Sequence, residues 1–415
     1  MLLIPSLKIK TKQQSIKTIN DAVDFYLPID AYRGEMKVLV AEGQQVLKNQ
    51  LIAELDGVFS TKLHSPISGI VKGIVSIDGK KHIHLWNNFR NIEIPNSIIL
   101  PEILTLENFV EILNDYGIEG SGGSRFPTQL KYRLNEKPVD TLIFNGVECE
   151  PYLSADVVLM KEKAKELLQT AKLIKHLIKA KKIVFVIEKA NKDVQSILKE
   201  TARILSIEIE VLSVPNTYPQ GGELQVIKAV TGLEIKKGIL PIDYGILVNN
   251  VGTLWAIYNA VFEGKPYTER LVTVSGNRSS QQGNYWVKIG TPVWHLLKET
   301  QNDFEAGEQN VILGGAMMGK AVNFLKTPIN KGSGGLLVLK KYQNKNYNCI
   351  KCVECVTACP QKLVPFEFAN HQNDKVQLQD FHLQDCIECG ACAYICPSDV
   401  PLMESIMNGK KSLLQ

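Results

Sequence analysis

The placement of the cysteines constrains this chain more than any other feature of its sequence. Eight of the nine lie between residues 349 and 396, in two groups that share the spacing C-x2-C-x2-C-x3-C-P. This spacing is typical of proteins with two [4Fe–4S] clusters, in which the fourth cysteine of each group binds the other cluster. One cluster is therefore predicted on Cys349, Cys352, Cys355 and Cys396. The second is predicted on Cys386, Cys389, Cys392 and Cys359.

Two other uses of these cysteines agree less well with the pattern. Zinc sites use paired C-x2-C units and need neither the third cysteine nor the repeated proline. Disulfides require an oxidising compartment, and the first residues, MLLIPSLKIKTKQQ, have too short an apolar stretch and no cleavage site for a secretory signal peptide. Cys149 has no partner at a suitable spacing, so a packed side chain is predicted there.

The composition indicates a multidomain globular protein. With 415 residues, 45% of them apolar and 22% charged, the chain is long enough for about two to four domains. The net charge of +4 is too small to indicate nucleic acid or anionic lipid as a partner. The longest apolar stretch, residues 238–262, is interrupted by Asp, Asn, Gly and Pro. We therefore predict a cytosolic chain with no membrane span of its own.

The first predicted domain, residues 1–98, contains short β-type runs separated by glycines, which is typical of a small sandwich or barrel. The order of these runs resembles the barrel-sandwich domains of lipoyl and biotinyl carriers. The hairpin at residues 56–62 lacks the Met-Lys-Met that carries the cofactor in those domains. A structural or docking role is therefore expected rather than a swinging arm.

The remaining sequence predicts three further domains. Residues 99–264 alternate strand and helix patterns, which predicts a mostly parallel, Rossmann-like sheet with ligands bound beyond the carboxyl ends of its strands. Residues 265–342 return to β-type runs with one short helix and predict a compact α+β module. A polar linker, 342–347, then leads into the cysteine domain, 343–415.

A glycine-rich loop at residues 117–131 is the second strong feature. Its glycines leave backbone N–H groups available to a phosphate and permit positive φ angles; they are Gly120, Gly122 and Gly123. Lys131 supplies a point charge for phosphate, and Phe126 offers an aromatic face to a nicotinamide or adenine ring. The loop lacks the ending of a P-loop and follows no clear strand, so an ordinary surface loop is the alternative.

Polar residues follow several predicted strands. They are Asn145, Glu148 and Glu150; Tyr218, Gly221 and Glu223; and Asn249, Asn250 and Thr253. Such groups suit hydrogen bonds to a flavin ring and a ribose, and a flavin is needed because it accepts a hydride and releases electrons singly. The alternative is that the three glutamates only cap helices.

Taken in order, these motifs resemble one family over nearly the whole chain. The set G-x-G-G-x-x-F-P-T-x-x-K, N-x-x-E-C-E-P-Y, Y-P-x-G-G-E, N-N-V-G-T and the two cysteine groups resembles RnfC (also called RsxC), a peripheral component of the Rnf ion-translocating electron transport complex. The central part also looks like the flavin-bearing, NADH-oxidising subunit of respiratory complex I. By this resemblance residues 265–342 form a soluble-ligand-binding β-grasp (SLBB) module.

The resemblance also implies cofactors and the residues that bind them: non-covalent FMN, NAD(H) beside it, and two [4Fe–4S] clusters. The positions that match the flavin-phosphate loop are Gly120, Gly122, Gly123 and Lys131. The positions that match the surroundings of the flavin are Asn145, Glu148, Tyr218, Gly221, Glu223, Asn249, Asn250 and Thr253. Phe126 and Glu150 match positions near the nicotinamide nucleotide.

Two of the departures from the family pattern lie in the glycine loop and near the N-terminus. Ser124 and Arg125 replace the small Ala-Gly pair of the glycine loop, so Arg125 is placed either to clash with a ligand or to pair with its phosphate. The G-G-I-H-P-P stretch common near the family's N-terminus is absent, which leaves the start of the chain unassigned.

The predicted protein is an α/β multidomain chain with a barrel-sandwich domain, a Rossmann-like flavin domain, a β-grasp module and a helical two-cluster ferredoxin-type domain. The resemblance implies an NADH:acceptor (ferredoxin) oxidoreductase subunit without a catalytic acid or base, peripheral on the cytoplasmic side of the bacterial inner membrane and bound to membrane subunits. One alternative is a soluble NADH-dependent reductase of the cobalamin or proline-reductase type. The other is a non-enzymatic iron–sulfur relay whose flavin site has decayed at Arg125.

Overall fold

The computed structural model of the chain describes residues 1–95, 98, 100–236, 238–302, 308–343, 345 and 347–414. Residue 99, at the first predicted domain boundary, and residues 344 and 346 of the predicted linker lie outside the described residues. Within the described part, groups of strands and helices follow one another along the chain and bury separate hydrophobic clusters. The bounds of the four predicted domains remain predictions.

The first group of strands forms a barrel-sandwich module. After β1 (Lys17–Thr18), which joins a different sheet, its strands are β2 (Asp24–Pro28), β3 (Lys37–Val38), β4 (Gln45–Val46), β5 (Leu51–Leu55), β6 (Thr61–His64), β7 (Gly69–Ile77) and β8 (Lys80–Asn87). Strands β2, β8, β7 and β4 form one sheet, and β3, β5 and β6 form the other. Apolar side chains from both sheets, such as Phe25, Ile52 and Leu85, are fully buried together, because alternate residues of a strand face the same side. The predicted barrel-sandwich fold is confirmed.

The start of the chain packs outside this barrel. Leu2 pairs with Tyr218 through an isolated bridge, the Tyr152 N–H donates to the Ser6 carbonyl at 2.9 Å, and β1 joins a sheet formed much later in the chain. The segment that the sequence left unassigned therefore crosses two other modules. A strand of two residues has no periodicity that could have indicated this.

The second group of elements is a parallel α/β module. Its elements are α1 (Leu106–Asp115), α2 (Gln129–Tyr132), β9 (Thr141–Gly146), α3 (Ala155–Glu162), α4 (Ala164–Leu177), β10 (Lys182–Glu188), α5 (Lys192–Ile204), β11 (Glu210–Val214), α6 (Glu223–Thr231), β12 (Ile246–Asn250) and α7 (Val251–Phe262). The four strands are parallel in the order β11-β10-β9-β12. Helix α6 packs on one face and α3, α4, α5 and α7 on the other, so the predicted Rossmann-like sheet is confirmed.

The third group forms one mixed sheet with a helix. Its elements are β13 (Glu269–Ser275), β14 (Gly283–Lys288), α8 (Val293–Glu299), β15 (Gln309–Leu313), β16 (Lys320–Ala321) and β17 (Gly335–Lys340). The sheet order is β1-β14-β13-β17-β15-β16, with β13 parallel to β17 and antiparallel to β14. A central parallel pair flanked by antiparallel strands is the arrangement expected of the β-grasp fold.

The last group is helical and contains the two cysteine motifs. Its helices are α9 (Glu354–Ala358), α10 (Pro365–Asn370), α11 (Lys375–Asp380), α12 (Ala391–Ile395) and α13 (Leu402–Leu414). Phe368, Leu378 and Ile406 are fully buried between them, together with several of the cysteines. Across all the described residues, no helix combines the length and the apolar character needed to cross a bilayer.

Candidate functional site

The parallel sheet brings several of the predicted residues to one edge. Strands β9 and β12 are neighbours in register, with Asn145 opposite Asn250. The chain order reverses between these two strands, because β10 and β11 lie on the other side of β9. Parallel sheets bind ligands at such a reversal, in the crevice beyond the carboxyl ends of the strands. The two asparagines therefore mark the predicted crevice.

The glycine loop lies against the start of helix α7 at this edge. The Ser121 N–H donates to Thr253 Oγ1 at 2.9 Å, and a Cβ on Gly122 would lie 3.7 Å from the Asn250 Cβ. Gly122 and Gly123 are exposed, so backbone groups of the loop tip are accessible. Of the three predicted glycines only Gly123 has a positive φ, at 106°. Gly120 and Gly122 do not use the positive φ that glycine permits, and a Cβ at either position would meet its nearest described neighbours at 3.5 Å or more.

Lys131 and Asn249 are engaged within the protein. Lys131 Nζ donates to the Val248 carbonyl at 2.7 Å and to Glu223 Oε1 at 3.2 Å, so two separately predicted residues form a pair. The Asn249 amide donates to the hydroxyl of the fully buried Tyr132 at 2.9 Å. Both residues thereby join the sheet to α2, and their contact with a cofactor remains a prediction.

A buried cluster of carboxylates lies beside the two asparagines. Asp156 accepts a hydrogen bond from the Asn250 amide at 2.6 Å. Glu148 Oε2 is buried and has no hydrogen-bond partner among the described residues. Lys8 donates to the Glu148 carbonyl and to Glu188 Oε2 at 3.3 Å. Burial, followed by the charge of Asp156, raises the pKa of Glu148 to about 8.

Sequence reasoning missed three members of this cluster. Lys8 belongs to the unassigned start of the chain, and its ammonium becomes part of the site only through tertiary packing. Glu188 is the last residue of β10 and was predicted only as part of a strand. Asp156 lies in the first turn of α3, shortly after the N-x-x-E-C-E-P-Y motif, and its position near a strand end was the one available signal.

A substitution of Glu148 tests the electrostatics of this cluster. In the unfolded chain the carboxyl ionises near its ordinary pKa of about 4.5, whereas in the folded protein it holds its proton to about pH 8. A raised acid pKa makes the wild type progressively less stable as the pH rises through this window. Glu148→Gln is therefore expected to raise the melting temperature relative to wild type at pH 8, by an amount that shrinks at pH 5.

The measurement is thermal unfolding of the flavin-free protein at both pH values. Glu223→Gln, at an exposed carboxylate of the same edge, serves as the matched control. If the melting temperatures of Glu148→Gln and wild type differ by the same amount at pH 5 and pH 8, the raised pKa of Glu148 would be contradicted.

Glu150 connects the sheet edge to the β-grasp module. Its carboxylate accepts the N–H groups of Met317 at 2.8 Å and Met318 at 2.9 Å, and it packs directly against Gly315. Burial raises its pKa. The structure therefore places Glu150 between two modules, and its predicted role near a nicotinamide nucleotide remains a prediction.

The loop that begins at Tyr218 connects the sheet edge to the cysteine module. The Asn145 amide donates to the Gly221 carbonyl at 2.9 Å, and the Gly221 N–H donates to Cys149 Sγ at 3.2 Å. The Tyr218 hydroxyl donates to the Cys389 carbonyl at 2.6 Å. Burial raises the pKa of the Cys149 thiol to about 12. It lies in a packed cluster with Tyr218 and Cys389.

The cysteines are brought together in the crossed sets that their spacing predicted. One cavity is lined by Cys349, Cys352, Cys355 and Cys396. A second cavity is lined by Cys359, Cys386, Cys389 and Cys392. Within the described residues, no three His, Cys, Asp or Glu side chains converge as the ligands of a single metal ion do. Four thiols around a cavity fit a cube that each thiolate binds at one corner.

Arg125 does not occupy the crevice. Its Nε donates to Glu119 Oε2 at 2.9 Å, and its Nη atoms donate to the Asp30 carboxylate at 3.2 Å and the Asp30 carbonyl at 2.8 Å. Its φ of 55° lies in the left-handed region, which the glycine of the family pattern adopts without strain. The guanidinium is therefore already paired within the protein. Neither of the two expected roles, a clash with a ligand or a contact with its phosphate, applies to this arginine.

The residues at the sheet edge fit an FMN. The unpartnered Glu148 Oε2 is suited to a hydrogen-bond donor from a ligand, and the exposed glycine tip presents backbone groups to a phosphate. Gly221 approaches the Val147 carbonyl so closely that a Cβ would lie 2.5 Å from its oxygen. The crevice walls are therefore built from backbone and small groups.

Three family models match successive parts of the chain. The RnfC barrel sandwich hybrid domain matches residues 2–96, the Nuo51 FMN-binding domain matches residues 113–259, and the 4Fe-4S dicluster domain matches residues 348–400. These ranges contain the barrel, the sheet edge with its glycine loop, and both cysteine sets.

Curated relatives named as the C subunit of an ion-translocating oxidoreductase complex match nearly the whole chain. The relative from Buchnera aphidicola subsp. Acyrthosiphon pisum is 32% identical over 414 residues, which cover 94% of this chain and 84% of the relative. Those from Haemophilus influenzae (strain PittEE) and Pasteurella multocida (strain Pm70) are 33% and 31% identical over 99% of this chain. The chain spans only 65% and 50% of the length of those two relatives.

A solved structure shares the fold at low sequence identity. It is an NAD+-reducing [NiFe]-hydrogenase in the H2-reduced state, with a TM-score of 0.54, 18% identity, and coverage of 78% of this chain and 66% of the hydrogenase chain. This likeness concerns the fold alone.

Proposed function

The chain is a member of the RnfC family, the C subunits of ion-translocating oxidoreductase complexes, and on that premise we propose that it passes electrons between NAD(H), FMN and two [4Fe–4S] clusters. The observation that carries the proposal is the hydrogen bond from Tyr218 to the Cys389 carbonyl. It joins the loop at the candidate flavin crevice to the wall of a cysteine cavity, so one chain holds both types of site in contact.

The residues proposed to hold FMN are those at the sheet edge. The glycine loop presents its backbone to the phosphate, while Asn145, Glu148 and Asn250 surround the crevice at the strand ends. When bound, a flavin supplies the conversion between a hydride and single electrons. The chain contributes binding, orientation and exclusion of water, and the proposal assigns no side chain as catalytic acid or base.

The two cysteine cavities differ in exposure, which suggests an order. The cavity lined by Cys389 lies next to the loop at the candidate flavin crevice, because the Tyr218 hydroxyl donates to the Cys389 carbonyl. It also lies against the β-grasp module, because a Cβ on Gly390 would lie 2.8 Å from the Met317 carbonyl oxygen. In the other cavity Cys349 and Cys352 are exposed. We propose that the Cys389 cavity is proximal to the flavin and that the exposed cavity faces the electron-transfer partner.

The proposed setting follows from the family. The other subunits of a membrane-bound Rnf-type complex are the proposed partners, with ferredoxin as the proposed electron donor or acceptor and no role for nucleic acid. The chain would bind peripherally at the cytoplasmic side of the bacterial inner membrane. The pairing of Arg125 with Glu119 and Asp30 argues against the alternative of a relay whose flavin site has decayed at that residue.

The test is reduction of the flavin by NADH. Protein purified without oxygen and loaded with FMN is expected to lose its yellow absorbance when NADH is added, and then to reduce a one-electron acceptor. If the flavin stays oxidised after NADH is added to protein that retains both clusters, the proposal would be contradicted.

Gly221→Ala is expected to weaken FMN binding by about tenfold or more, because the added methyl group would lie 2.5 Å from the Val147 oxygen and displace the loop. Fluorescence titration of the protein with FMN measures this. Gly334→Ala is the matched control, since its methyl group would meet no described atom closer than 3.6 Å. Equal FMN affinity in the two variants would remove Gly221 from the site.

A further inference from the structure

The barrel module places a partly exposed aromatic cluster beside the glycine loop. The Tyr32 ring contacts Phe126 edge-on at 5.2 Å and Phe59 at 5.6 Å between ring centroids. The Arg33 guanidinium lies over the Phe59 ring at 4.8 Å. Tyr32 is 39% exposed and Arg33 is also exposed. Phe59 and Phe126 are half-buried, so three rings and a cation form one partly exposed surface.

Both barrel loops that carry these residues are fixed to the central module. The loop 30–35 is held by Arg125, which donates to both the carboxylate and the carbonyl of Asp30. The hairpin 56–60 is held by Ser60, whose hydroxyl donates to Asn114 Oδ1 at 2.9 Å. These contacts set Tyr32 and Phe59 at a defined position next to Phe126, the aromatic residue of the glycine loop.

We infer that the barrel module forms the adenosine diphosphate half of a pyridine-dinucleotide site. The aromatic rings suit stacking with a purine base, and the exposed Arg33 suits a diphosphate, which is the group a planar guanidinium recognises best. The cluster is continuous with the glycine loop, whose exposed tip already presents backbone groups to phosphate. In carrier proteins the hairpin between the two barrel halves bears the cofactor; here the same hairpin contributes Phe59 to a ligand surface.

This inference rests on the proposed oxidation of NADH. Two ligands allow the binding inference and the proposed function to be tested separately. ADP-ribose contains the adenosine diphosphate half without the nicotinamide, whereas reduced nicotinamide mononucleotide contains the reacting half alone. Tyr32→Ala and Phe59→Ala are expected to raise the Kd for ADP-ribose by about 5- to 30-fold, from the loss of base stacking. Reduction of bound FMN by reduced nicotinamide mononucleotide is expected to proceed at the wild-type rate.

Calorimetric titration with ADP-ribose measures the first effect, and stopped-flow absorbance measures the second. Phe89→Ala, at a phenylalanine of the same module that is 54% exposed, is the matched control and should bind ADP-ribose as wild type does. Arg33→Gln changes only an exposed side chain and is expected to weaken ADP-ribose binding even if an aromatic variant folds poorly.

ADP-ribose affinities within about twofold of wild type in Tyr32→Ala, Phe59→Ala and Arg33→Gln would overturn the inference. If neither NADH nor reduced nicotinamide mononucleotide reduces the flavin bound to the wild-type protein, the proposed function would instead be overturned. Binding of ADP-ribose that still depends on Tyr32 and Phe59 would in that case support the subsite by itself.

Discussion

Replacement of Cys396 by serine is expected to lower the iron content of the chain from about eight to about four atoms. Cys396 lines the cavity formed by Cys349, Cys352 and Cys355, although it belongs to the other sequence motif. Because this cavity is exposed, a cluster that lacks one of its four thiolate ligands there is expected to be lost during purification. The remaining iron should belong to the cavity lined by Cys389.

The crossed arrangement gives this experiment a specific signature. Cys396→Ser and Cys352→Ser should leave the same residual EPR spectrum after reduction, while Cys359→Ser and Cys389→Ser should share the other one. Cys149→Ser is the control and should keep all the iron, because Cys149 lines neither cavity. If Cys359→Ser matched Cys352→Ser instead, each motif would bind its own cluster and the crossed assignment would be wrong.

Replacement of Glu119 by glutamine is expected to cost about 3–5 kcal/mol in the free energy of unfolding. The Glu119 side chain is 1% exposed and accepts hydrogen bonds from Lys331 Nζ and Arg125 Nε, each at 2.9 Å. Lys331 is itself 3% exposed. Without the carboxylate the buried Lys331 ammonium would lose its ion-pair partner and Arg125 would keep only its pair with Asp30, so the three modules that meet at this point would be held less firmly.

The effect is expected to depend on pH in a defined direction. Burial raises the pKa of Glu119, but the charges of Lys331 and Arg125 outweigh burial and hold the pKa below its usual range. A depressed acid pKa stabilises the fold above the ordinary value of about 4.5, and that stabilisation is lost as the pH falls through the lower, folded-state pKa. The difference in the free energy of unfolding between wild type and Glu119→Gln should therefore be largest at neutral pH and disappear in acid.

Urea unfolding at pH 7 and in acid measures this gap. Asp115→Asn is the control, since Asp115 pairs with Lys62 but is 55% exposed, and surface pairs contribute about 0–1 kcal/mol. Unfolding midpoints for Glu119→Gln and Asp115→Asn that differ from wild type by the same small amount would mean that the buried network does not stabilise the fold.

Much of the fold and of the cluster site followed from the sequence. Cysteine spacing determines which thiols lie one turn apart, and the proline after each fourth cysteine marks the one that crosses over, so both cysteine sets were predictable from residues 349–397 alone. The alternation of strand and helix patterns between residues 140 and 214 likewise predicted a parallel sheet. Both signals are local, because each depends on residues within a few positions of one another.

The flavin crevice was predicted only in outline. Asn145, Glu148 and Asn250 meet at the sheet edge as the strand-end rule predicted, whereas Asn249 pairs with Tyr132 and Glu150 reaches the β-grasp module. Neighbouring residues at one strand end point in different directions. Only their packing partners decide which of them line the crevice.

Tertiary structure alone decided how the modules meet. Lys8 contacts Glu148 and Glu188, Lys331 pairs with Glu119, and Arg125 reaches back to Asp30. These partners are about a hundred to two hundred residues apart along the chain, and no periodicity or spacing connects them. Sequence patterns report the local geometry of a helix, a strand or a cysteine turn, whereas buried charges find their partners only when separate modules close on one another and exclude water.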